Sequence, residues 1–293
     1  MNKPVIGFVG LGVMGEPMCR NVRVRGGYRV IATDLDAAPI ARLGVHGVEA
    51  GSDVGAVVRS SDIVFASLPS GRVLEALLRA NDGVLDNLRA GQVFIDLGTS
   101  PVALTRQLAE AVAARGARYL DAPVARTRQA AEEGTLSVMV GGDVDTFREV
   151  EAVIACFASD ITHCGSVGNG QVTKILNNMV LFETVAALSE ASAIARRAGL
   201  DPALLFDTLT KGSADSFALR NHGLKAIIPQ RFPERSFSVE YAKKDLAYAL
   251  ELAADFGVDV DGARRVDRLF DRAIEQGMGD QYHPVISKVI DGR

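Results

Sequence analysis

Val5-Ile6-Gly7-Phe8-Val9-Gly10-Leu11-Gly12-Val13-Met14-Gly15 is the stretch that decides the fold of this chain. Residues 5–9 form an apolar run of strand length, and residues 18–24 carry apolar side chains at helical spacing. Between them lies the Gly-x-Gly-x-x-Gly pattern of a dinucleotide-binding turn. There the first glycine permits a tight bend, the second admits a pyrophosphate, and the third lets the helix pack on the strand. The order strand, glycine turn, helix therefore predicts diphosphate binding at the helix N-terminus.

A second predicted strand, residues 28–33, ends at Asp34. A carboxylate at this place accepts hydrogen bonds from the ribose hydroxyls of NAD and repels the additional phosphate of NADP. Leu35 follows, where an arginine could have held that phosphate. The sequence therefore predicts NAD, with NADP possible. As an alternative, Asp34 belongs to a turn and Asp36 caps the next helix; both roles are compatible.

Strand-like and helical segments alternate as far as about residue 165, which predicts a parallel sheet covered by helices on both faces. Ligands bind beyond the carboxyl ends of such strands, so the turns after Val9, Leu68 and Leu97 are expected to line one crevice. We therefore expect an α/β fold with an N-terminal, doubly wound Rossmann sheet. Its further strands are predicted at 62–69, 92–97, 118–124, 135–140 and 161–163.

The pattern changes after residue 165, because Val167 to Arg197 contains no proline and no strand signal. It predicts one interdomain helix of about thirty residues, roughly 45 Å long. We expect a dinucleotide-binding domain at 1–165, the interdomain helix at 166–197, and an all-α substrate and oligomerisation domain at 198–293. The later helices are predicted at 202–211, 217–228, 239–256, 261–276 and 284–291.

Composition excludes several classes of protein. With 293 residues, 48% apolar and 23% charged, the chain is a typical globular protein that can form two cores. A net charge of −4 argues against nucleic-acid or membrane partners. Cys19, Cys156 and Cys164 fit neither a disulfide framework nor a zinc site, so we expect no metal and a reducing, cytoplasmic location.

Five motifs follow one another along the chain. They are Gly10-Leu11-Gly12-Val13-Met14-Gly15-Glu16-Pro17-Met18 with Asn21, Asp121-Ala122-Pro123-Val124, Gly134-Thr135-Leu136 with Gly141-Gly142, Gly168-x-Gly170-x-x-x-Lys174-x-x-Asn177-Asn178, and Lys244-Asp245-Leu246. Together they resemble the β-hydroxyacid dehydrogenases, which include 3-hydroxyisobutyrate dehydrogenase and tartronate semialdehyde reductase. The resemblance implies an NAD-dependent enzyme that transfers a hydride between NAD(H) and a small 3-hydroxy acid or its semialdehyde.

The resemblance implies that Lys174 is the catalytic residue, and the chemistry agrees. Oxidation of an alcohol by hydride transfer releases a proton that a general base must accept. A free lysine titrates near about 10.4, so burial must bring such a base toward roughly 7–8. Asn178 lies four residues later on the same helical face and is expected to orient the substrate or the amine. Without the motif, a solvated surface lysine is the alternative.

The resemblance also implies contacts to the cofactor outside the glycine turn. Leu68 and Pro69 follow the third predicted strand, and Thr99 follows the fourth, where a hydroxyl can meet nicotinamide or ribose. Lys244 lies beyond the interdomain helix, so its part in nucleotide binding requires the second domain to close over the first. An exposed helix face is the alternative for this lysine.

The predicted substrate loop departs from the family pattern. Many members continue Asp-Ala-Pro-Val with Ser-Gly-Gly, whereas this chain continues with Ala125-Arg126-Thr127 after Pro123 and Val124. The run is similar to that of sulfolactaldehyde reductase. Arginine binds a carboxylate or sulfonate in a planar fork, so Arg126, with Thr127, is the candidate anion anchor. An outward-facing arginine is the alternative.

The segment 211–217 is expected to close the pocket from the C-terminal domain. Ser213 or Ser216 would bond the substrate and Phe217 would exclude water, although a helix capped by Asp215 or Ser216 explains the same residues. Phe232, Phe237 and Tyr241 are expected to pack against another subunit of a homodimer or homotetramer.

Two alternative functions stay open. The resemblance extends to imine reductases, many of which replace the catalytic lysine, and to non-catalytic NAD-binding sensors or scaffolds that have lost it. Lys174 is present here, which favours the hydroxyacid enzyme.

Overall fold

A computed structural model describes residues 3–234 and 236–292 of the chain. Its main sheet has six parallel strands in the order β3-β2-β1-β4-β5-β6, which confirms the expected Rossmann topology. The order reverses between β1 and β4, the switch point at which such sheets bind ligands. The strands are β1 (Ile6–Val9), β2 (Val30–Thr33), β3 (Glu49–Ala50), β4 (Ile63–Ala66), β5 (Val93–Asp96) and β6 (Arg118–Asp121).

Apolar strand residues form the core on both faces of this sheet. Every residue of β1, β4 and β5 is buried, as expected for parallel strands covered on two sides. Phe8 stacks on Phe65 on one face, with ring centroids 5.1 Å apart. Phe94 stacks on Tyr119 on the other face at 5.8 Å. The covering helices are α1 (Gly15–Gly26), α2 (Ala37–Gly44), α3 (Val54–Arg59), α4 (Gly71–Arg79), α5 (Val84–Asn87), α6 (Val102–Ala113), α7 (Arg128–Glu133) and α8 (Val144–Ile154).

Three strands belong to a second, smaller sheet, so the expectation that they extend the parallel sheet is wrong. These are β7 (Val124–Ala125), β8 (Leu136–Val140) and β9 (Ala158–His163), in the order β7-β8-β9. The β7–β8 pair is antiparallel and the β8–β9 pair is parallel. The predicted strand 118–124 divides at Pro123, which has no N–H to continue the ladder and instead accepts a hydrogen bond from the Met139 N–H at 3.2 Å.

The remainder of the chain is helical, as predicted. The long helix α9 covers Asn169–Arg197. Phe182 of α9 is fully buried in the core that these helices form, and its ring lies 5.5 Å from the Phe270 ring between centroids. The other elements are α10 (Pro202–Leu209), a π-helix (Leu219–Ile227), α11 (Val239–Asp255), α12 (Asp261–Glu275), a 3₁₀ helix (His283–Val285) and α13 (Ile286–Asp291).

The chain divides into two compact units within α9. The first unit ends at Lys174 and the second begins at Ile175. None of the described helices combines the length and the apolar character needed to cross a membrane.

Candidate active site

The three glycines of the 10–15 turn meet different surroundings. Gly10 has a φ of +90°, and a Cβ there would lie 2.4 Å from the Ser67 carbonyl oxygen. A Cβ on Gly15 would lie 2.2 Å from the Gly10 carbonyl oxygen. A Cβ on Gly12 would meet no described atom within 4 Å. Gly10 and Gly15 are therefore required by the backbone, whereas Gly12 borders the open space that an approaching diphosphate needs.

The N-terminus of α1 is available to an anion. Within the described part of the chain, no side chain makes a capping hydrogen bond to this helix, whose N-cap residue is Met14. The N–H groups of a first helical turn then favour phosphate oxygens. Leu11 is buried, so only its main chain can face a cofactor, whereas Val13 is half exposed.

Asp34 lies beside the glycine turn, as expected for a residue that binds ribose. One carboxylate oxygen accepts a hydrogen bond from the Leu11 N–H at 2.5 Å, and the other accepts one from the Asp36 N–H at 2.8 Å. Asp36 in turn caps α2 through the Ala38 N–H, so the capping interpretation is confirmed for that residue. Leu35 is fully exposed at the same place. The contact of Asp34 with ribose stays a prediction.

The turns after β1, β4 and β5 lie at one edge of the sheet, because these parallel strands are neighbours. The Cβ position of Gly98 lies 3.0 Å from the Leu68 carbonyl oxygen, which brings the turn after β5 against the turn after β4. Pro69 is exposed, whereas Thr99 is 6% exposed. The predicted cofactor residues of the first unit are thus brought together at this edge.

A buried carboxylate fastens the start of α9 to the end of β6. Asp121 accepts hydrogen bonds from the Gly168 N–H at 2.7 Å and the Gln171 N–H at 2.8 Å. Burial raises the pKa of Asp121, and these N–H donors partly oppose that rise. The helix approaches so closely that a Cβ on Gly170 would lie 2.4 Å from the Met139 carbonyl oxygen. Close packing of α9 against β8 therefore requires the glycine at position 170 of this motif.

Gln171 fastens the same helical turn to the end of β5. Its carboxamide oxygen accepts a hydrogen bond from the Ser100 N–H at 3.0 Å, and its amide nitrogen donates to the Gly98 carbonyl at 2.9 Å. The amide nitrogen also donates to Asp96 at 3.3 Å. Lys174 follows one helical turn later and is 9% exposed, so it is not the solvated surface lysine of the alternative interpretation.

In the second unit, Asn178 and Lys244 meet at one carboxylate. The Asn178 amide donates to Asp245 at 2.7 Å and accepts a hydrogen bond from the Asn177 amide at 3.1 Å. The Lys244 ammonium lies 3.0 Å from the other Asp245 oxygen and 4.1 Å from the centroid of the Tyr241 ring. Asn178 and Asp245 are both buried, so this arrangement fixes the predicted orienting amide.

The predicted substrate loop is held by its own chain. Arg126 has a φ of +87°, a conformation that glycine adopts and other residues rarely do. Its guanidinium forms an ion pair with Asp160 at 2.7 Å and donates to the Thr135 carbonyl at 2.6 Å and the Ser159 hydroxyl at 2.9 Å. Anion binding by Arg126 therefore requires exchange of Asp160 for the substrate, and it stays a prediction.

The neighbours of Arg126 also have partners within the fold. Thr127 is the N-cap of α7 and accepts a hydrogen bond from the Ala130 N–H at 3.4 Å. Pro123 is buried, and Val124 and Ala125 form the short strand β7. The Thr127 hydroxyl therefore already has a structural role as the cap of α7.

The segment 211–217 belongs to the second unit. Ser213 is exposed and Phe217 is half exposed, with its ring 6.0 Å from that of His222. Ser216 accepts a hydrogen bond from the Leu219 N–H at 3.0 Å, so the capping interpretation is confirmed for Ser216. Phe237, expected at a subunit contact, packs on Phe182 of its own chain at 5.6 Å.

Sequence reasoning missed four polar residues that organise these places. Asp121 and Asp245 stand inside recognised motifs, and Gln171 lies three positions before Lys174, so their motif membership was an available signal. Asp96, at the end of β5, carried no such signal. Among the described residues, no group of three or more His, Cys, Asp or Glu side chains could hold a metal ion.

Comparison with known proteins assigns both parts of the chain. Residues 5–165 match the family model of the NAD-binding domain of 6-phosphogluconate dehydrogenase, and residues 168–290 match that of the NAD-binding region of NADP-dependent 3-hydroxyisobutyrate dehydrogenase. The chain is 33% identical to 2-(hydroxymethyl)glutarate dehydrogenase of Eubacterium barkeri, over 97% of this chain and 94% of that protein. The chain belongs to the β-hydroxyacid dehydrogenase family. It is thus an NAD-binding oxidoreductase by family, as the sequence motifs predicted.

Other comparisons place this β-hydroxyacid dehydrogenase among its relatives. It is 31% identical to 2-hydroxy-3-oxopropionate reductase of Escherichia coli K12, over 98% of this chain and 97% of that protein. The solved structure of 3-hydroxyisobutyrate dehydrogenase of Mycobacterium tuberculosis with L-serine has a TM-score of 0.89 at 29% identity, with 99% of both chains covered. An imine reductase of Myxococcus stipitatus has a TM-score of 0.66 at 21% identity, over 98% of this chain and 99% of that one, which shows a shared fold alone.

Proposed function

We propose that this chain is an NAD-preferring dehydrogenase of small 3-hydroxy acids, or a reductase of the matching semialdehydes, with Lys174 as general acid and base. One observation carries the proposal. Lys174 is buried, and its helical turn is fastened by Asp121 and Gln171 to the carboxyl ends of β6 and β5. Those are the ends beyond which a Rossmann sheet binds its ligand.

The residues of the first unit fit a dinucleotide. Gly12 leaves open space at its Cβ position, the N-terminus of α1 has no capping side chain among the described residues, and Asp34 lies beside the turn. When bound, the nicotinamide ring takes up or releases the hydride. The Leu68–Pro69 turn and Thr99 would hold the nicotinamide end.

The chain itself moves the proton. In oxidation the Lys174 amine accepts the proton of the substrate hydroxyl, and in reduction the ammonium returns it to the carbonyl oxygen. Asn178 would orient the substrate from the next turn of α9, with its amide fixed by Asp245. Lys244, held by the same carboxylate, would contact the cofactor. Pro123–Thr127 would contact the acid group, and Ser213 and Phe217 stay predicted substrate contacts.

The preference for NAD over NADP rests on charge. Asp34 presents a carboxylate where NADP would place a phosphate, and the exposed Leu35 offers that phosphate no cation. Carboxylate and sulfonate substrates both fit an arginine, provided that Arg126 leaves Asp160.

A homodimer or homotetramer and a cytoplasmic location complete the proposal. Apolar side chains of α9 are exposed in the single chain, with Val180 60% and Ile194 66% exposed. Single exposed residues of this kind are common, but several on one helix favour burial against a second copy. Light scattering in solution gives the oligomeric state directly.

The experiment is a panel of hydroxy acids and semialdehydes assayed with NADH and NADPH or their oxidised forms. At least one small 3-hydroxy acid or semialdehyde should be turned over. In Lys174→Ala, turnover should fall by about 10³-fold while the Kd for NADH changes less than about twofold. The matched control is Lys225→Ala, because Lys225 is exposed, lies outside the predicted site residues and donates a local hydrogen bond to Asn221 at 2.8 Å.

Two results would contradict the proposal. Retained turnover in Lys174→Ala removes that residue from the mechanism. Tight NADH binding by the wild type without turnover of any compound in the panel favours a non-catalytic NAD-binding protein.

A further inference from the structure

We infer that Gln171 is a positioning residue for catalysis, one that fixes Lys174 relative to the turn containing Thr99. The inference rests on the proposed function of Lys174. Gln171 is fully buried, at 0% exposure, and lies in the first turn of α9, three residues before the lysine.

The hydrogen bonds of Gln171 enclose Thr99 on both sides. The carboxamide oxygen accepts from the N–H of Ser100, and the carboxamide nitrogen donates to the carbonyl of Gly98. One planar group therefore bonds the residue before Thr99 and the residue after it, in the way that a neighbouring strand would. The turn that is expected to receive the nicotinamide cannot shift without moving Gln171.

The partners of Gln171 are themselves fixed. Asp96 accepts hydrogen bonds from Gln171 at 3.3 Å, from the Ser100 hydroxyl at 3.0 Å and from the Gly98 N–H at 2.8 Å. The Gln171 N–H donates to Asp121 at the end of β6. The main chain of Gln171 is thus bound to β6 and its side chain to β5, so one residue sets the position of the α9 turn against two strands.

Such an arrangement has a catalytic consequence. A proton acceptor must lie within hydrogen-bond reach of the substrate while the substrate carbon faces the nicotinamide. A displacement of about 1 Å at a distant support can cost about 100-fold in rate. Gln171 connects the two elements that these requirements join, namely the Lys174 turn and the 98–100 turn, by direct hydrogen bonds.

The chain offers a matched control at the opposite end of β5. Gln92 is also buried, at 1% exposure, and its carboxamide also makes three hydrogen bonds, to the Val58 carbonyl, the Ser61 carbonyl and the Arg89 N–H. It lies just before β5 begins, whereas Gln171 bonds the turn where β5 ends. Gln171→Met and Gln92→Met therefore each remove three hydrogen bonds of a buried carboxamide in the same unit, and one of the three in Gln171 goes to the Asp96 carboxylate.

The test compares both variants with the wild type. Both should lose thermal stability to a similar extent, because each leaves buried polar groups without partners. Gln171→Met should lower kcat by about 10- to 100-fold, with the KM for NADH changed less than about threefold, whereas Gln92→Met should keep kcat within about twofold. Equal kcat values in the two variants would overturn the inference. A wild type inactive with every substrate would instead overturn the proposed function.

Hydrogen exchange gives a readout that needs no substrate. Gln171→Met should increase amide exchange in residues 97–101 and 168–174, and Gln92→Met should leave those segments unchanged. Unchanged exchange in Gln171→Met would overturn the inference even if no substrate were known.

Gln171→Glu keeps the shape and guards against a variant that fails to fold. Its carboxylate would face Asp96 and the Gly98 carbonyl, so kcat for reduction, the direction in which protonated Lys174 is the acid, should be low near neutral pH and recover as falling pH protonates the new carboxyl group, which can then donate again. A pH profile identical to that of the wild type would contradict the positioning role.

Discussion

Acidification from about pH 7.5 to about pH 5.5 should destabilise this protein through two buried histidines. His222 is 4% exposed and His283 is fully buried. The His222 ring bonds the Tyr282 hydroxyl through Nδ1, while neither ring nitrogen of His283 has a hydrogen-bond partner among the described residues. Phe182 and Phe237 pack against the His283 ring at 5.2 and 5.3 Å. A neutral imidazole ring is tolerated in these apolar surroundings, whereas a protonated ring would bury an unpaired charge at a high cost in free energy.

The magnitude follows from the pKa values. Burial, assisted by the nearby Lys225 charge, lowers the pKa of His222 to about 4, and burial lowers the pKa of His283 well below its usual value. The unfolded chain binds these protons near about pH 6.5, so stability is complete above that pH and is lost as the pH falls toward the folded pKa. At about pH 5.5 each histidine lowers the free energy of unfolding by about 1.4 kcal/mol. The pair costs about 3 kcal/mol, a large part of the usual 5–15 kcal/mol.

The assay is urea unfolding followed by circular dichroism at both pH values, for the wild type and two variants. His283→Leu removes one titrating ring and its two unpaired nitrogens, so it should halve the pH dependence and leave stability near neutral pH equal or higher. His46→Gln is the control, because it removes an exposed histidine and keeps both buried rings.

Either of two results would refute this reasoning. A wild type whose free energy of unfolding changes by less than about 0.5 kcal/mol between the two pH values would show that the rings do not resist protonation. Full pH dependence in His283→Leu would assign the effect to other groups.

Two further predictions concern the cofactor. Gly12→Ala places a methyl group in the open space that the diphosphate needs, so NADH affinity should fall at least about tenfold while the melting temperature stays within about 2 °C. In Gly10→Ala the new side chain is forced against the Ser67 carbonyl at a positive φ, so this variant should instead lower the melting temperature. Calorimetric titration and thermal unfolding measure both, and equal effects of the two variants would contradict the distinction. Replacing Asp34 by Ser together with Leu35 by Arg should raise the ratio of kcat/KM for NADPH over NADH by at least about tenfold, because a repelling charge becomes an attracting one. An unchanged ratio would show that Asp34 does not face the ribose.

The central part of the fold was predictable from local patterns. Buried parallel strands are continuous apolar runs, so β1, β2, β4 and β5 were located within two or three residues of their observed ends. β3 was missed because its two residues, Glu49 and Ala50, are exposed and carry no apolar signal. The separate sheet of β7, β8 and β9 was missed because strand pairing is decided by distant partners, such as the Met139 N–H that bonds Pro123.

The candidate site shows a similar division. Gly10, Gly15 and Asp34 were recognised from a short sequence pattern, and in the structure Asp34 lies beside the glycine turn, where it accepts a hydrogen bond from the Leu11 N–H. Its contact with ribose stays a prediction. The ion pair between Arg126 and Asp160 could not be predicted, because Asp160 lies far along the chain and no local pattern indicates the contact. Gln171 likewise gains its importance from contacts with a turn that is about seventy residues away in sequence.

The glycine turn contains two kinds of constraint. Any descendant of this chain that keeps its sheet must retain Gly10 and Gly15, since a side chain at either position collides with main-chain oxygen. At position 12 no described atom opposes a side chain, so a bound dinucleotide is what requires glycine there. A lineage that abandoned the dinucleotide would be free to replace it without harm to the fold. The identity of that single residue, compared across relatives, therefore distinguishes proteins that still carry a redox cofactor from those that retain only its scaffold.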